Sequence, residues 1–380
     1  MADVASGPTV LVAHPAADVY GSDLQLLESI SGLVAAGWRV VVAMPEHGPL
    51  HELVRRRGGE PQVVDFPVLR RASSSAGGLA GLAVAGARAA TGLRRVVRQV
   101  GADVLYVNTV TLPWWLTAGR LARVPTLCHV HEAEDQDPWP VRAALGAPLL
   151  QAHRLIVISR AASAAAEVVP GLRRRARLIY NGVPQPETAV TAGSPGPAFR
   201  LAVVGRLSPR KAPHVALEAV ALLRAQGREV TLEVCGTAFA GYEAYESELR
   251  ERAEQDDLRG AVQFSGYVSP IWSVLERADV VVAPSLREPF GNAVVEAQLA
   301  GRPVVAAAAL GHLETIEDGV TGLLTPPGDA EALARAVATL MDDPSRAASM
   351  GERARLEARR RFSVERYQRE VVELVTSLVP

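Results

Sequence analysis

The sequence predicts an α/β protein built from two Rossmann-like domains that face a central cleft. Its 380 residues exceed one ordinary hydrophobic core and suit two domains. Short apolar, β-branched runs alternate with longer segments of helical period, which is typical of parallel sheets covered by helices on both faces. The alternation breaks once, at residues 184–198, which are rich in Pro, Gly, Ser and Thr, as expected of an interdomain linker.

The first series of predicted strands is expected to build a domain over residues 1–183. Its members are TVLVA at 9–13, WRVVVAM at 38–44, DVLYVN at 103–108, PTLCHV at 125–130 and RLIVIS at 154–159. Each run is short, apolar and rich in β-branched residues, and a helix-period segment follows it.

The second series is expected to build a domain over residues 199–380. Its strands are FRLAVVG at 199–205, EVTLEVCG at 229–236, AVQFSG at 261–266, DVVVAPS at 279–285, PVVAAAA at 303–309 and TGLLTPP at 321–327. Helical segments from Ala330 onward close this domain, although their pattern fits packing on either half.

Composition limits the class of protein. A hydrophobic content of 48% with 21% charged residues and a net charge of -1 indicates a soluble folded chain with no general attraction for nucleic acid. Cys128 and Cys235 each end an apolar run, so we expect buried thiols and a reducing cytoplasm. The start has no basic segment of the signal-peptide kind, and no uncharged run reaches the roughly 20 residues that span a bilayer.

Residues 68–100 combine small apolar residues with several arginines. The segment could touch an anionic membrane surface, which would place the protein at the inner membrane. A long surface helix with a flexible loop is the simpler interpretation.

The stretch REPFGNAVVEAQLAGRPVV at 287–305 places Glu288 and Glu296 eight positions apart. It follows a predicted buried strand, at the end where open α/β sheets bind ligands. Gly291 and Asn292 begin a predicted helix whose first amides favour an anion. A glycosidase pair would lie about 5 to 9.5 Å apart, whereas eight helical residues rise roughly 12 Å. The spacing therefore suits two ends of one elongated ligand.

A second motif, GRLSPRKAPH at 205–214, follows the first predicted strand of the second domain. Lys211 is the only lysine of the chain, and an ammonium is a compact point charge where guanidinium is a planar fork. Arg206 and Lys211 beside helix amides would neutralise a diphosphate without a metal. The spacing is neither a Walker loop nor G-x-G-x-x-G.

In the first domain, two positions point to the cleft. Gly21 precedes a predicted helix, either as a place where backbone approaches a ligand or as a plain helix entry capped by Ser22. In HVHE at 129–132, His131 is expected to face the cleft, and His129 is either structural or polar. These histidines and Glu132 lack further ligands at metal-binding spacing, so no metal site is predicted.

GRLSPRK resembles the G-R-L-x-x-x-K element, and EPFGNAVVEAQLAGRPVV is similar to the E-x7-E signature with an A-x-G-x-P-V-V tail, of the retaining GT-B glycosyltransferases of family 4. The resemblance covers essentially the whole chain and implies a nucleotide diphosphate sugar as donor substrate, with no separate cofactor. It implies that Arg206 and Lys211 hold the diphosphate, Glu288 the sugar hydroxyls and Glu296 the ribose. Amides near Phe290, Gly291 and Asn292 would line the sugar and phosphate.

The resemblance is weaker in the first domain. YGSDLQLL stands where the family often has G-G-x-E, so Tyr20 replaces the first glycine and only Gly21 matches. The family pattern P-x5-H, counted from Pro125, identifies His131. The resemblance thus implies Arg206, Lys211, His131 and Glu288 as catalytic residues.

Two shorter motifs resemble other sites. VLVAHPAAD at 10–18 is similar to the zinc-binding A-H-P-D-D-E start of certain deacetylases, but Ala16 and Ala17 replace both acids. Asp135-Gln136-Asp137 spells the D-x-D motif of the other large glycosyltransferase fold, and we interpret its acidic loop as facing solvent or acceptor.

The expected function is transfer of a sugar to an acceptor hydroxyl with retention at the anomeric carbon. The acceptor, whether a saccharide, a lipid-linked saccharide or a small molecule, is not identified by the sequence. Alternatives are a phosphorylase-like or epimerase-like enzyme of the same architecture and a sugar-nucleotide-binding protein without activity.

Overall fold

The computed structural model describes residues 7–19, 21–69, 76–133, 139–188, 190, 198–239 and 241–379, with backbone alone at 22, 76–85, 87 and 140. The chain forms two compact units. Met1–Gly182 and Val364–Pro380 make the first unit, and Val183–Ser363 makes the second.

The described part of the first unit contains one sheet of seven parallel strands in the order β3-β2-β1-β4-β5-β6-β7. These strands are β1 (Thr9–Ala13), β2 (Arg39–Met44), β3 (Glu60–Val63), β4 (Val104–Val107), β5 (Thr126–Val130), β6 (Arg154–Val157) and β7 (Ala176–Leu178). The central strands β1, β4 and β5 are buried at every position, as expected of a parallel sheet covered on both faces.

Helices connect these strands, and two of them begin with a recognisable local signal. They are α1 (Gly21–Ala35), α2 (Leu50–Arg56), α3 (Ala76–Val100), α4 (Pro113–Ala122), α5 (Trp139–Gly146) and α6 (Arg160–Ala166), with a 3-10 helix at Ala147–Gln151. Ser159 caps α6 by accepting from the amide of Ala162 at 3.0 Å, which satisfies one of the helix's unpaired donors. Pro113 opens α4, where its missing N–H removes no helical hydrogen bond.

The described part of the second unit repeats the arrangement, with six parallel strands in the order β10-β9-β8-β11-β12-β13. The strands are β8 (Phe199–Val204), β9 (Val230–Cys235), β10 (Val262–Gly266), β11 (Val280–Ala283), β12 (Val304–Ala307) and β13 (Leu323–Thr325). The helices are α7 (Pro213–Ala225), α8 (Glu243–Ala253), α9 (Trp272–Arg277), α10 (Asn292–Leu299), α11 (His312–Thr315), α12 (Ala330–Asp342) and α13 (Pro344–Arg361). Two Rossmann-like halves are therefore confirmed, as is every strand that the apolar runs predicted.

The last helix, α14 (Val364–Thr376), belongs to the first unit. Its buried residues Tyr367, Val371, Leu374 and Val375 share a core with Ile30 of α1. The Tyr367 hydroxyl lies 2.5 Å from the Ser29 hydroxyl. The predicted second domain over residues 199–380 is thus wrong for this segment, because the apolar stripe of α14 is buried by the first sheet's helices.

The described part of α3 has two faces. Leu93 and Val97 are buried, whereas Arg95 and Arg98 are exposed. An added Cβ at Gly86 would lie 2.1 Å from the Trp114 ring, so the helix packs closely against α4. Among the described residues, no helix combines the length and the apolar character that crossing a bilayer requires.

Candidate functional site

A concave pocket lies at the carboxyl ends of β8 and β11, which are neighbours in the second sheet. Gly205 and Arg206 enter it directly after β8, and Ser285 and Glu288 follow β11. Gly291, just before α10, also lines it. The strand ends thus bring together residues that are about 80 positions apart in the chain, in the position where open α/β sheets bind ligands.

Lys211 and Glu288 form an ion pair inside this pocket. The side chains are 22% and 11% exposed, respectively, and the Ser285 hydroxyl donates to the same carboxylate oxygen at 3.3 Å. An ammonium has three N–H donors, and Glu288 accepts one of them. Two donors of Lys211 therefore remain available to a second anion.

Glu288 is ionised despite its burial. Burial raises its pKa, but the nearby positive charge of Lys211 and its hydrogen bond outweigh that effect, so the pKa lies below the ordinary value. A carboxylate of this kind accepts hydrogen bonds and does not act as a general acid.

His312 closes one side of the pocket next to Gly291. Its Nδ1 donates to the carbonyl oxygen of Ala307 at 2.9 Å, and burial lowers its pKa. Gly291 has φ +103°, and an added Cβ would lie 2.9 Å from the His312 ring. Only glycine permits both that backbone conformation and the close approach.

Arg206 extends from the turn after β8, where its guanidinium lies 5.1 Å from the centroid of the Phe239 ring. Phe239 is 37% exposed. The aromatic face holds the guanidinium by a cation–π contact, so a second cation is fixed at the pocket that Lys211 enters.

The remaining predicted donor-side residues occupy different positions. Phe290 is buried and packs edge-on against Phe362, with ring centroids 5.5 Å apart, so its backbone alone can contribute to a ligand site. Asn292 is the first residue of α10. Glu296 lies one turn further along this helix and is half-buried.

The carboxyl group of Glu296 has a pKa close to neutral pH. Burial raises its pKa to about 7, with a smaller opposing effect from Lys211. The folded protein thus keeps a proton at Glu296 that the unfolded chain loses at lower pH, so the contribution of Glu296 to the free energy of unfolding falls as pH rises from about 4.5 to 7.

Glu296→Gln is therefore expected to raise the free energy of unfolding at pH 8, by about 1 to 3 kcal/mol, and to leave it nearly unchanged at pH 4.5. Denaturant unfolding at both pH values measures the difference. Glu248→Gln, on the exposed surface of α8, is the matched control. Equal stabilities of the wild type and Glu296→Gln at pH 8 would contradict the prediction.

In the first unit, His131 directly follows β5 and is half-buried. Its Nε2 lies 3.2 Å from Oδ1 of Asn108. Burial and the neighbouring His14 lower its pKa to about 3, although Asp23 opposes them, so the imidazole is neutral near pH 7. Gly21 is the exposed first residue of α1.

His129 is a structural histidine. It is fully buried in β5, and its Nδ1 lies 2.7 Å from the Tyr106 hydroxyl. Glu132 accepts from the Thr109 hydroxyl at 2.6 Å and from the His131 amide at 3.0 Å. Within the described ranges, no three His, Cys, Asp or Glu residues cluster as metal ligands do, and the D-x-D motif lies outside those ranges, as does Tyr20.

Several pocket residues were not predicted. Ser285 and His312 line the pocket at the carboxyl ends of β8 and β11. Ser285 ends the DVVVAPS run, directly before the motif that contains Glu288, so its position could have identified it. His312 begins a four-residue helix in a segment without a recognisable pattern.

Two protein families match the chain, one in each half. The family described as "Glycosyltransferase Family 4" matches residues 21–185, and "Glycosyl transferases group 1" matches residues 185–357. Together they cover every described strand except β1.

Individual proteins are similar to the chain over part or all of its length. A D-inositol 3-phosphate glycosyltransferase of Corynebacterium kroppenstedtii is 37% identical over 166 residues, which are 43% of this chain and 37% of that protein. One of Kribbella flavida is 30% identical over 66% of each chain. The chain thus spans less than two thirds of the length of these relatives. The crystal structure of Anabaena HepE with UDP and glucose has a TM-score of 0.81 and 26% identity, covering 97% of this chain and 99% of that one.

Proposed function

We propose, from the premise that the chain belongs to the group 1 glycosyltransferases of the GT-B fold, that it moves a sugar from a nucleotide diphosphate sugar to an acceptor hydroxyl. We propose further that the anomeric configuration is retained and that no metal takes part. The observation that carries this proposal is the Lys211–Glu288 ion pair in the pocket at the sheet edge. It places a cation for a diphosphate next to an acceptor for sugar hydroxyls.

The leaving group gains negative charge as the bond from the anomeric carbon to the diphosphate oxygen breaks. Lys211 has two donors available for that oxygen or its neighbours, and Arg206 adds a second cation. Charges that are already in place stabilise the developing anion without reorganisation. Amides near Phe290, Gly291 and Asn292, at the start of α10, support the same phosphate.

The two glutamates hold the donor at two places in this proposal. Glu288 accepts hydrogen bonds from hydroxyls of the transferred sugar, and Glu296 accepts from the ribose. Glu288 is already paired with Lys211, so it is not assigned as a covalent nucleophile. His131 and Gly21 serve the acceptor side through the first unit.

The nucleotide and the acceptor are proposed only by class. HepE was solved with UDP and glucose, which supports a uridine nucleotide as the first donor to test. The D-inositol 3-phosphate glycosyltransferases are similar over part of their length, which supports an inositol phosphate as one of the acceptors to test. Residence in the cytoplasm and contact of residues 68–100 with an anionic membrane surface stay predictions.

A thermal-shift panel of nucleotide sugars tests the proposal. At a concentration of 100 times Kd, a donor should stabilise the folded protein by about 2.7 kcal/mol, and the matching free sugar should not. NMR of the product anomer then decides retention, and a requirement for acceptor distinguishes transfer from epimerase-like or phosphorylase-like turnover. No stabilisation by any nucleotide sugar would contradict the proposal, and stabilisation without turnover would favour the binding protein.

A further inference from the structure

Polar residues follow three neighbouring strands of the first sheet and form one hydrogen-bonded chain. His14 follows β1, Asn108 follows β4 and His131 follows β5, and these strands are adjacent in the sheet. Asp23, in the first turn of α1, completes the chain. Parallel strands bring their carboxyl ends to one sheet edge, so positions far apart in sequence meet there.

Three short contacts link these four side chains. His131 Nε2 lies 3.2 Å from Asn108 Oδ1, and Asn108 Nδ2 lies 3.0 Å from His14 Nδ1. His14 Nε2 lies 2.9 Å from Asp23 Oδ1. All three are hydrogen-bond distances.

The chemistry of each atom sets the direction of every bond. An amide oxygen only accepts, so the proton of the first contact sits on His131 Nε2. An amide nitrogen only donates, so His14 Nδ1 is the acceptor, and its Nε2 carries the proton that the Asp23 carboxylate accepts. With a neutral His14, the four groups therefore have one consistent arrangement of protons.

Burial makes any other arrangement of these protons energetically costly. Asp23, His14 and Asn108 are 4%, 1% and 1% exposed. A reversed amide would place donor against donor or acceptor against acceptor, and such unsatisfied buried groups cost about 1 to 3 kcal/mol each.

The other titratable groups near these four side chains do not change where their protons lie. The His129 ring lies 4.0 Å from that of His131 between centroids, and burial lowers the pKa of His129 well below its ordinary value, so it adds no charge. Glu132 bonds the backbone amide of His131 rather than the ring.

We propose that Asp23, His14 and Asn108 are positioning residues that hold His131 in the tautomer protonated at Nε2, with the Nδ1 lone pair presented as a hydrogen-bond acceptor. The ligand of that lone pair is a hydrogen-bond donor, since a neutral imidazole nitrogen without a proton only accepts, and the donor in this proposal is a hydroxyl group. The assignment of this hydroxyl to a sugar substrate rests on the proposed transferase function. The predicted tautomer of His131 does not depend on that function.

Histidine tautomers can be measured without turnover. In protein labelled with 15N-histidine, long-range 1H–15N correlations identify which ring nitrogen is protonated, with H131Q and H14Q used for assignment. At pH 5.5, where an ordinary histidine is mostly charged, we expect His131 neutral and protonated at Nε2 alone. A His131 that is protonated at Nδ1, or charged at that pH, would overturn the proposal.

Asn108→Leu breaks both amide contacts while keeping a similar volume. We expect His131 to show a mixture of tautomers, and kcat to fall about tenfold with the affinity for the nucleoside diphosphate unchanged. Asn108→Asp should restore the Nε2-protonated tautomer of His131, because a carboxylate accepts from that nitrogen.

Thr109→Val is the matched control for stability. It removes a hydrogen bond of similar burial at the same strand end and should leave the ring tautomer of His131 as in the wild type. If Asn108→Leu also leaves that tautomer unchanged, the positioning role is refuted. If the wild type transfers no sugar but shows the predicted tautomer, the transferase function fails and the hydrogen-bonded chain stands.

Discussion

Lys211→Ala is expected to lower kcat for sugar transfer about 100- to 1,000-fold, a loss of about 2.7 to 4 kcal/mol of transition-state stabilisation. The substitution removes an ammonium fixed next to the departing diphosphate. It also leaves Glu288 buried without its main counter-charge, which should raise the pKa of that carboxyl. Binding of the nucleoside diphosphate should weaken less than kcat falls, because the charge on the leaving group is greatest in the transition state.

Steady-state kinetics with the donor that stabilises the wild type measure this loss, and thermal unfolding shows whether the variant is folded. Lys211→Arg keeps the charge but replaces a point donor with a planar fork, and it should recover only part of the activity. Arg224→Ala removes a cation from the other end of α7 and should leave kcat within a few-fold of wild type. Unchanged turnover in Lys211→Ala would refute the assignment.

Glu288→Gln is expected to lower kcat about 10- to 150-fold, since a hydrogen bond to a charged group contributes about 1.5 to 3 kcal/mol. The amide keeps the shape of the side chain but loses the charge that accepts from sugar hydroxyls. Affinity for the free nucleoside diphosphate should be unchanged or tighter, because Lys211 loses its competing anion.

Calorimetric titration measures binding of the nucleoside diphosphate, and kcat measures sugar transfer. Together they separate the pocket's role in holding the nucleotide from its role in holding the sugar. The double variant Lys211→Ala with Glu288→Gln should lose less than the sum of the single effects, since the residues are in contact. A Glu288→Gln variant that keeps kcat but binds the nucleoside diphosphate more weakly would show that Glu288 holds the nucleotide and not the sugar.

The sequence predicts the central strands of both sheets well but misses both edge strands of the first sheet, β3 and β7. β1, β4 and β5 are continuous apolar runs because both faces of the sheet are covered. β3 has the sequence EPQV, with a proline and exposed ends, and β7 has three residues, none of them fully buried. Edge strands of this kind bury too little apolar surface to leave a pattern.

The residues of the candidate sites also divide into those that the sequence predicts and those that it does not. Arg206, Lys211 and Glu288 follow predicted strands within motifs, so their proximity follows from strand order. The partners of His131 leave no such signal: His14 and Asn108 are 94 positions apart, and each is an ordinary polar residue after a strand. His14 resembled part of a zinc motif in the sequence, and only the order of β1, β4 and β5 reveals its actual neighbour.

The chain leaves the first unit at Gly182 and returns to it at Val364, which has a consequence for biosynthesis. The second unit is one continuous segment, so all of it has been translated before α14 emerges from the ribosome. Domains generally fold as units, in the order of their synthesis. Here the amino-terminal unit lacks the Tyr367 and Val371 part of its core until α14 has been synthesised, so we expect the later-encoded unit to complete its fold first.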